Sequence, residues 1–154
     1  MISDRTAQKT ETAKNNLAQS LQFLGGYPEA EPLMRDALEA ANKGLSVKHP
    51  TYTTLRNNLA ELLRNTGRDE EAQPRFLEAL SVTCAALGED HLEYAPNLNS
   101  FALLLYITDC HSEALPMMRQ ALGIHNSTLR PDHPHTKTVR ASLETRERDA
   151  APSP

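Results

Sequence analysis

The tetrapeptide NNLA occurs at Asn15–Ala18 and again at Asn57–Ala60, and a worn copy, NSFA, follows at Asn99–Ala102. Each tetrapeptide lies 42 residues from the last, and the spacing holds well beyond it. Thr12–Thr53, Thr54–Ala95 and Pro96–Lys137 align without a gap. Ten columns are identical in all three copies, among them Asn15/Asn57/Asn99, Ala18/Ala60/Ala102, Leu21/Leu63/Leu105, Ala30/Ala72/Ala114, Pro32/Pro74/Pro116 and His49/His91/His133. Average residue usage would give well under one such column by chance. The chain is an array of internal repeats.

Each copy divides into two helices. In the second, Leu55, Leu59, Leu62, Leu63 and Thr66 share one arc at the helical period. Gly67-Arg68 breaks that run, and Asp69-Glu70-Glu71 puts acid where a helix begins. Ala72, Phe76, Ala79, Leu80 and Leu87 then supply the apolar stripe of a second helix. Helix pairs repeated at this length bury their apolar faces on one another as a solenoid. A 42-residue period also suits HEAT and armadillo arrays, and propeller blades. The propeller fails, because no segment alternates with period two and aromatics are only 5% of the residues.

The pattern inside the repeat separates the helical options. Leu17, Ala18, Leu21, Gly25, Tyr27, Glu29, Ala30 and then Ala37-Leu38 resemble a tetratricopeptide (TPR) repeat. The motifs NNLA, GGYPEAEP and LRPDHP are similar to those of the 42-residue repeats of the kinesin light chain family. The resemblance runs from Thr12 to about Leu143. It implies an all-α fold, a right-handed α-α superhelix of three TPR-like helix pairs plus a C-terminal capping helix. One domain is expected over residues 1–150, with repeats at 12–53, 54–95 and 96–137, a capping helix at 138–150 and a disordered tail at 151–154. The cap is expected to use Val139, Ala141 and Leu143, with four charges in Glu144–Arg148 turned to solvent. In the third copy Asp109-Cys110-His111 replaces Gly-x-Tyr, so that turn must accept side chains where glycine would relax the backbone.

The two asparagines of NNLA separate on a helical wheel. If Ala13, Leu17, Ala18, Leu21 and Leu24 form the buried arc, Asn15 points away from it with Thr12, Gln19 and Gln22, and Asn16 sits on its flank. Asn16 and Asn58 are therefore expected to support the stack. Asn15, Asn57 and Asn99 form a column on the far face, which the resemblance implies lines a concave peptide groove. Amides offer both donors and an acceptor, so such a ladder can hold a peptide backbone whatever its side chains. Gln19, Gln22, Glu61, Arg64, Leu103 and Tyr106 complete the expected groove, polar at one end and apolar at the other. Lys14 and Arg56 point toward the buried side, so a carboxylate clamp does not fit.

No metal, cofactor or catalytic residue is assigned. His49, His91 and His133 sit in successive repeats, at least a helix spacing of about 8–10 Å apart, whereas zinc needs its ligands within about 2 Å. They fit better as starters of the next helix, with Pro50 and Pro134 directly following. Cys110-His111 are adjacent at a turn without an orienting third group. The net charge of −4 argues against nucleic acid. No apolar run is long enough for a membrane span, and two unpaired cysteines suit a reducing cytoplasm. The expected function is a non-catalytic protein- or peptide-binding module. The alternative is a self-assembling scaffold that forms homo-oligomers through exposed repeat ends.

Overall fold

A computed structural model describes residues 2–44 and 49–151, with the side chains of residues 2–4 and 7 left aside. Leu45, in the repeat, and the expected tail beyond Ala151 lie outside the described residues. Among the described residues there are seven α-helices and no strand: α1 Ile2–Phe23, α2 Tyr27–Gly44, α3 Pro50–Asn65, α4 Asp69–Leu87, α5 Tyr94–Ile107, α6 His111–Thr128 and α7 Pro134–Ala150. The fold class is all-α, with the helix pairs in the order the repeats require.

Repeated chemistry sets the helix ends. Gly25, Gly67 and Asp109 occupy one column and all adopt positive φ, at 82°, 74° and 64°. In each turn the next amide reaches back to a first-helix carbonyl: Gly26 N to Leu21 O, Arg68 N to Leu63 O and Cys110 N to Leu105 O, all 2.8 Å. This is the Schellman closure, which satisfies carbonyls that the helix end would leave unpaired. Asp109 keeps the same turn with a side chain in the left-handed region.

The histidine column starts the next helices, as its spacing suggests. His49 and His133 are the N-caps of α3 and α7, and each Nδ1 accepts from the amide two residues on, Thr51 or His135, at 3.2 Å. His91 Nδ1 accepts from Glu93 N in the same way just ahead of α5. Proline in the first turn places helix starts at Pro50 and Pro134, so α7 begins ahead of the expected residue 138. At the other end α1 starts at Ile2, well before Thr12, because no breaker interrupts residues 2–11.

The chain divides into two compact units, Met1–Ala86 and Leu87–Pro154. In the first, Ala37, Leu38 and Ala41 of α2 pack on Tyr52 and Leu55 of α3. Leu59, Leu62 and Leu63 of α3 and Ala72, Phe76 and Ala79 of α4 are also buried. Of the arcs expected for this repeat, only Thr66 and Leu87 are exposed.

An arginine–glutamate network links α2 to α4 in the same unit. Arg35 pairs with Glu31 at 2.7 Å and with Glu71 at 2.8 Å, while Arg68 pairs with Glu31 at 2.8 Å and also with Glu71. Burial alone would raise the Glu31 carboxyl, but hydrogen bonds and charge from Arg35 and Arg68 outweigh it and hold it below its ordinary value. The Arg35 hydrogen bond does the same for Glu71, against a smaller effect of burial and with help from Arg68. These partly exposed pairs contribute little individually, and together they connect α2 with α4 and the turn before it.

In the second unit Ala102, Met118 and Leu143 form a core joined by Leu103, Tyr106, Leu115, Met117 and Leu122. The cap α7 buries Thr136, Val139 and Leu143, while Ala141 is exposed. The expected 139/141/143 arc is corrected by helical geometry, since residues two apart face opposite ways and the stripe runs 136–139–143.

His125 of α6 is 1% exposed, and its ring centroid lies 5.4 Å from that of His135 on α7. Burial first, then the charges of His135 and His133, holds its imidazole below the ordinary 6.5. The folded state therefore takes up a proton at lower pH than the unfolded chain does. Stability from neutral His125 should be complete above about pH 6.5 and lost as pH falls through the depressed folded value. Denaturant melts between pH 8 and 5 should lose midpoint below 6.5, and His125→Asn should flatten that slope; an unchanged slope would contradict this origin.

Candidate functional site

The far-face residues of α1 open onto a cleft of about 320 Å³ between α1 and the start of α3. Thr12, Asn15, Asn16 and Gln19 line it from α1, and Thr51 and Thr54 from α3, with Pro50 and Leu55 also in the wall. Among the described residues no ionisable side chain lines it. One rim is fixed by Gln8 Nε2, which donates to Thr51 Oγ1 at 3.3 Å. Three of the residues assigned to the groove face by the helical wheel, Thr12, Asn15 and Gln19, thus share one polar recess. Gln22 is half-buried on α1 and is not among its lining residues.

Asn15 differs from the expectation that it points away from the core. It is 6% exposed, and its Oδ1 accepts from Asn58 Nδ2 at 2.9 Å. The wheel assumed one buried side per helix, but α1 is packed by α3 as well as by α2. The far face of α1 is therefore largely the face toward the next first helix. Ala13, Leu17 and Leu24, expected to be buried, are exposed instead, and Leu21 is half-buried. Asn58 does support the stack, as expected, and it does so through Asn15. Asn16 is exposed at the edge of the cleft.

On α3, two of the candidate residues bond to each other: Asn57 Nδ2 donates to Glu61 Oε1 at 3.1 Å. Asn57 is buried, and its Oδ1 has no hydrogen-bond partner among the described residues. An acceptor left unpaired in a buried place costs free energy until a donor reaches it. Arg64 is half-buried and donates to Asn65 Oδ1 at 3.2 Å. Lys14 and Arg56 are committed, Lys14 to Glu11 at 3.9 Å and Arg56 to Glu78, with the Arg56 guanidinium 5.2 Å from the Tyr52 ring centroid.

In the second unit Asn99 is half-buried on α5. Leu103 and Tyr106 pack on the core that includes Leu143 of α7. Tyr106 Oη donates to the Arg146 carbonyl at 3.2 Å, its ring stacks on His111 at 4.3 Å, and the Arg146 guanidinium lies 5.5 Å from its centroid. The residues expected at the apolar end of the groove are thus largely engaged by the capping helix. Ile107 is the exposed large apolar residue of α5. The sequence pattern missed Thr51 and Thr54, whose place in the cleft follows from α3 beginning at Pro50, a start that His49-Pro50 does signal.

Cys110 Sγ donates to the Thr108 carbonyl at 3.7 Å, and His111 faces Tyr106 and, at 3.8 Å, Asp109. Among the described residues no group of three or more His, Cys, Asp or Glu side chains could hold a metal ion. Nor is any described helix long and apolar enough to cross a membrane.

A family model described as tetratricopeptide repeat matches residues 9–85 and again 51–127. Among solved structures, the TPR-like repeats assigned to a kinesin light chain of Podosopora anserina superpose with a TM-score of 0.82 at 21% identity, over 91% of this chain and 66% of that one. A single-substitution variant of the same protein gives 0.81 with the same identity and coverage. BtubC (BKLC) from P. vanneervenii gives 0.74 at 21% identity, over 90% of this chain and 57% of that one. The chain thus spans two thirds or less of the length of these structures, and the likeness shows the fold. No curated protein matches the sequence.

Proposed function

This chain belongs to the tetratricopeptide repeat family, and on that premise we propose that it holds an extended peptide segment along the first helices of its repeats, without catalysis. Tetratricopeptide repeats are protein-interaction modules. The observation that carries the finer reading is the cleft of Thr12, Asn15, Asn16, Gln19, Thr51 and Thr54, whose polar groups among the described residues are uncharged amides and hydroxyls. Such a lining suits main-chain groups and neutral polar side chains. Its described residues give no counter-charge for a terminal carboxylate or an acidic run, and nearby Lys14 and Arg56 are already paired. Along α3, Asn57 Nδ2 donates to Glu61 Oε1 and holds the half-buried Glu61 carboxylate in place. The net charge of −4 speaks for a protein partner over nucleic acid or an anionic membrane surface, and the two free cysteines for a cytoplasmic setting.

A peptide-library screen on the purified chain tests this directly. Selected peptides should be neutral or weakly charged. Gln19→Ala, at an exposed position, should weaken them about 3- to 10-fold, roughly the 1 kcal/mol of one hydrogen bond, with an unchanged melting temperature. Asn57→Ala should weaken them as much. Peptides that bind both variants as well as the parent would place the site elsewhere.

A further inference from the structure

Hydrogen bonds inside the first unit fix the sense in which the polar groups of the α1–α3 cleft are presented. Asn15 lines the cleft although it is only 6% exposed. Its Oδ1 takes the Asn58 Nδ2 donor at 2.9 Å, which sets the way the amide is turned. Its Nδ2 has no acceptor among the described residues, so the buried amide brings a donor to the cleft wall. Thr51 Oγ1 accepts from Gln8 Nε2 at 3.3 Å and donates to no described residue.

Two other threonines present the opposite sense. Thr12 Oγ1 donates to the Gln8 carbonyl at 2.8 Å, and Thr54 Oγ1 to the Pro50 carbonyl at 3.0 Å. With its proton given to the preceding turn, each hydroxyl has only lone pairs left to offer. Pro50 and Leu55, the latter 1% exposed, supply the apolar part of the wall.

The cleft lies beside a helix start, yet that start offers an anion nothing. Pro50 has no N–H. Thr51 N donates to His49 Nδ1 at 3.2 Å, and Tyr52 N and Thr53 N both donate to the His49 carbonyl. The fixed groups are thus two donors, on Asn15 and Thr51, and two acceptors, on Thr12 and Thr54.

A carboxamide matches that set, with two N–H donors and a carbonyl that accepts two bonds. A carboxylate would bring lone pairs against the two threonine oxygens, and an ammonium or guanidinium would leave the Asn15 donor unpaired. An aliphatic side chain would exclude water from all four groups without replacing it. A main-chain amide has one N–H, half of what the two threonines accept.

We propose that this cleft is a side-chain pocket for a carboxamide, the asparagine or glutamine of a bound segment. Asn15 Nδ2 and Thr51 Oγ1 donate to its carbonyl, and Thr12 and Thr54 accept from its NH2 group. The pocket rests on the groove reading of the first helices and names the residue class that the groove selects.

Three probes with one backbone test it: the N-acetyl N-methylamides of glutamine, glutamate and norleucine, each titrated into the isotope-labelled full chain. The glutamine probe should shift the Asn15 side-chain amide resonances saturably, and the other two should bind about 10-fold more weakly, since a site built for hydrogen bonds rejects an analogue that cannot make them. Thr12→Val and Thr54→Val, both at exposed positions, should each remove most of that preference, with helical circular dichroism and the norleucine response unchanged. Equal shifts from all three probes would mean main-chain recognition, which overturns the pocket and leaves the groove. A glutamine preference that survives both valine substitutions would overturn it too. So would library peptides that lose affinity with Gln19→Ala yet show no asparagine or glutamine at any selected position. A library without a single binder, together with a silent glutamine probe, would remove the groove and the pocket together.

Discussion

Leu59→Ala should destabilise the chain by about 2–5 kcal/mol, the range for truncating a fully buried leucine, while Leu17→Ala should move stability by less than about 0.5 kcal/mol. The two leucines occupy the same repeat column and the same place in NNLA. Leu59 is 1% exposed and Leu17 53%. In the second repeat α2 lies over α3, with Ala37, Leu38 and Ala41 covering the Leu55 side, so removing the Leu59 side chain leaves a cavity that packed helices fill only in part. No described part of the chain lies over Leu17, and water fills the space its side chain leaves. Urea unfolding at dilute concentration, where association does not add to stability, checks both variants. Equal losses would mean that the first repeat is covered as the second is.

Asn58→Ala should cost about 1–3 kcal/mol, because it leaves Asn15 Oδ1 buried without its donor. Asn15→Ala should cost a similar amount by stranding the Asn58 amide. The double variant should lose clearly less than the sum, since neither partner then remains unpaired. Four denaturant curves give the coupling energy of this pair. Additive losses would mean that the 2.9 Å bond carries no weight in the stack. The wheel reading of Asn15 as a groove residue predicts the opposite, a variant silent in stability. The result therefore also decides how much of the asparagine column belongs to folding.

Much of the fold was legible because its signals are local. Gly67 and the acidic run after it end one helix and open the next by backbone conformation and dipole, with no distant partner needed. The histidines preceding Pro50 and Pro134 cap through atoms two residues away, so their role follows from their own neighbourhood. The Phe76 and Ala79 stripe is buried as its period requires. The candidate site was less legible. Thr12, Asn15 and Gln19, placed on one face by the wheel, do share a cleft, but Tyr106, expected at the apolar end of the groove, bonds the Arg146 carbonyl. That contact joins residues 40 apart, and no periodicity within one helix reports it.

What the sequence determined by itself was the repeat, its 42-residue length, the helix pairs and the chemistry that starts and stops them. Each of these rests on forces acting within a few residues. Tertiary structure alone decided which side of each helix is covered. Leu17 and Leu59 are the same letter in the same motif, and Asn15 and Asn57 share a column, yet one leucine faces water and Asn15 meets Asn58. A residue's periodicity fixes its angle around its own helix. Its burial depends on whether another helix lies at that angle, and in a repeating chain that differs between the first copy and the next.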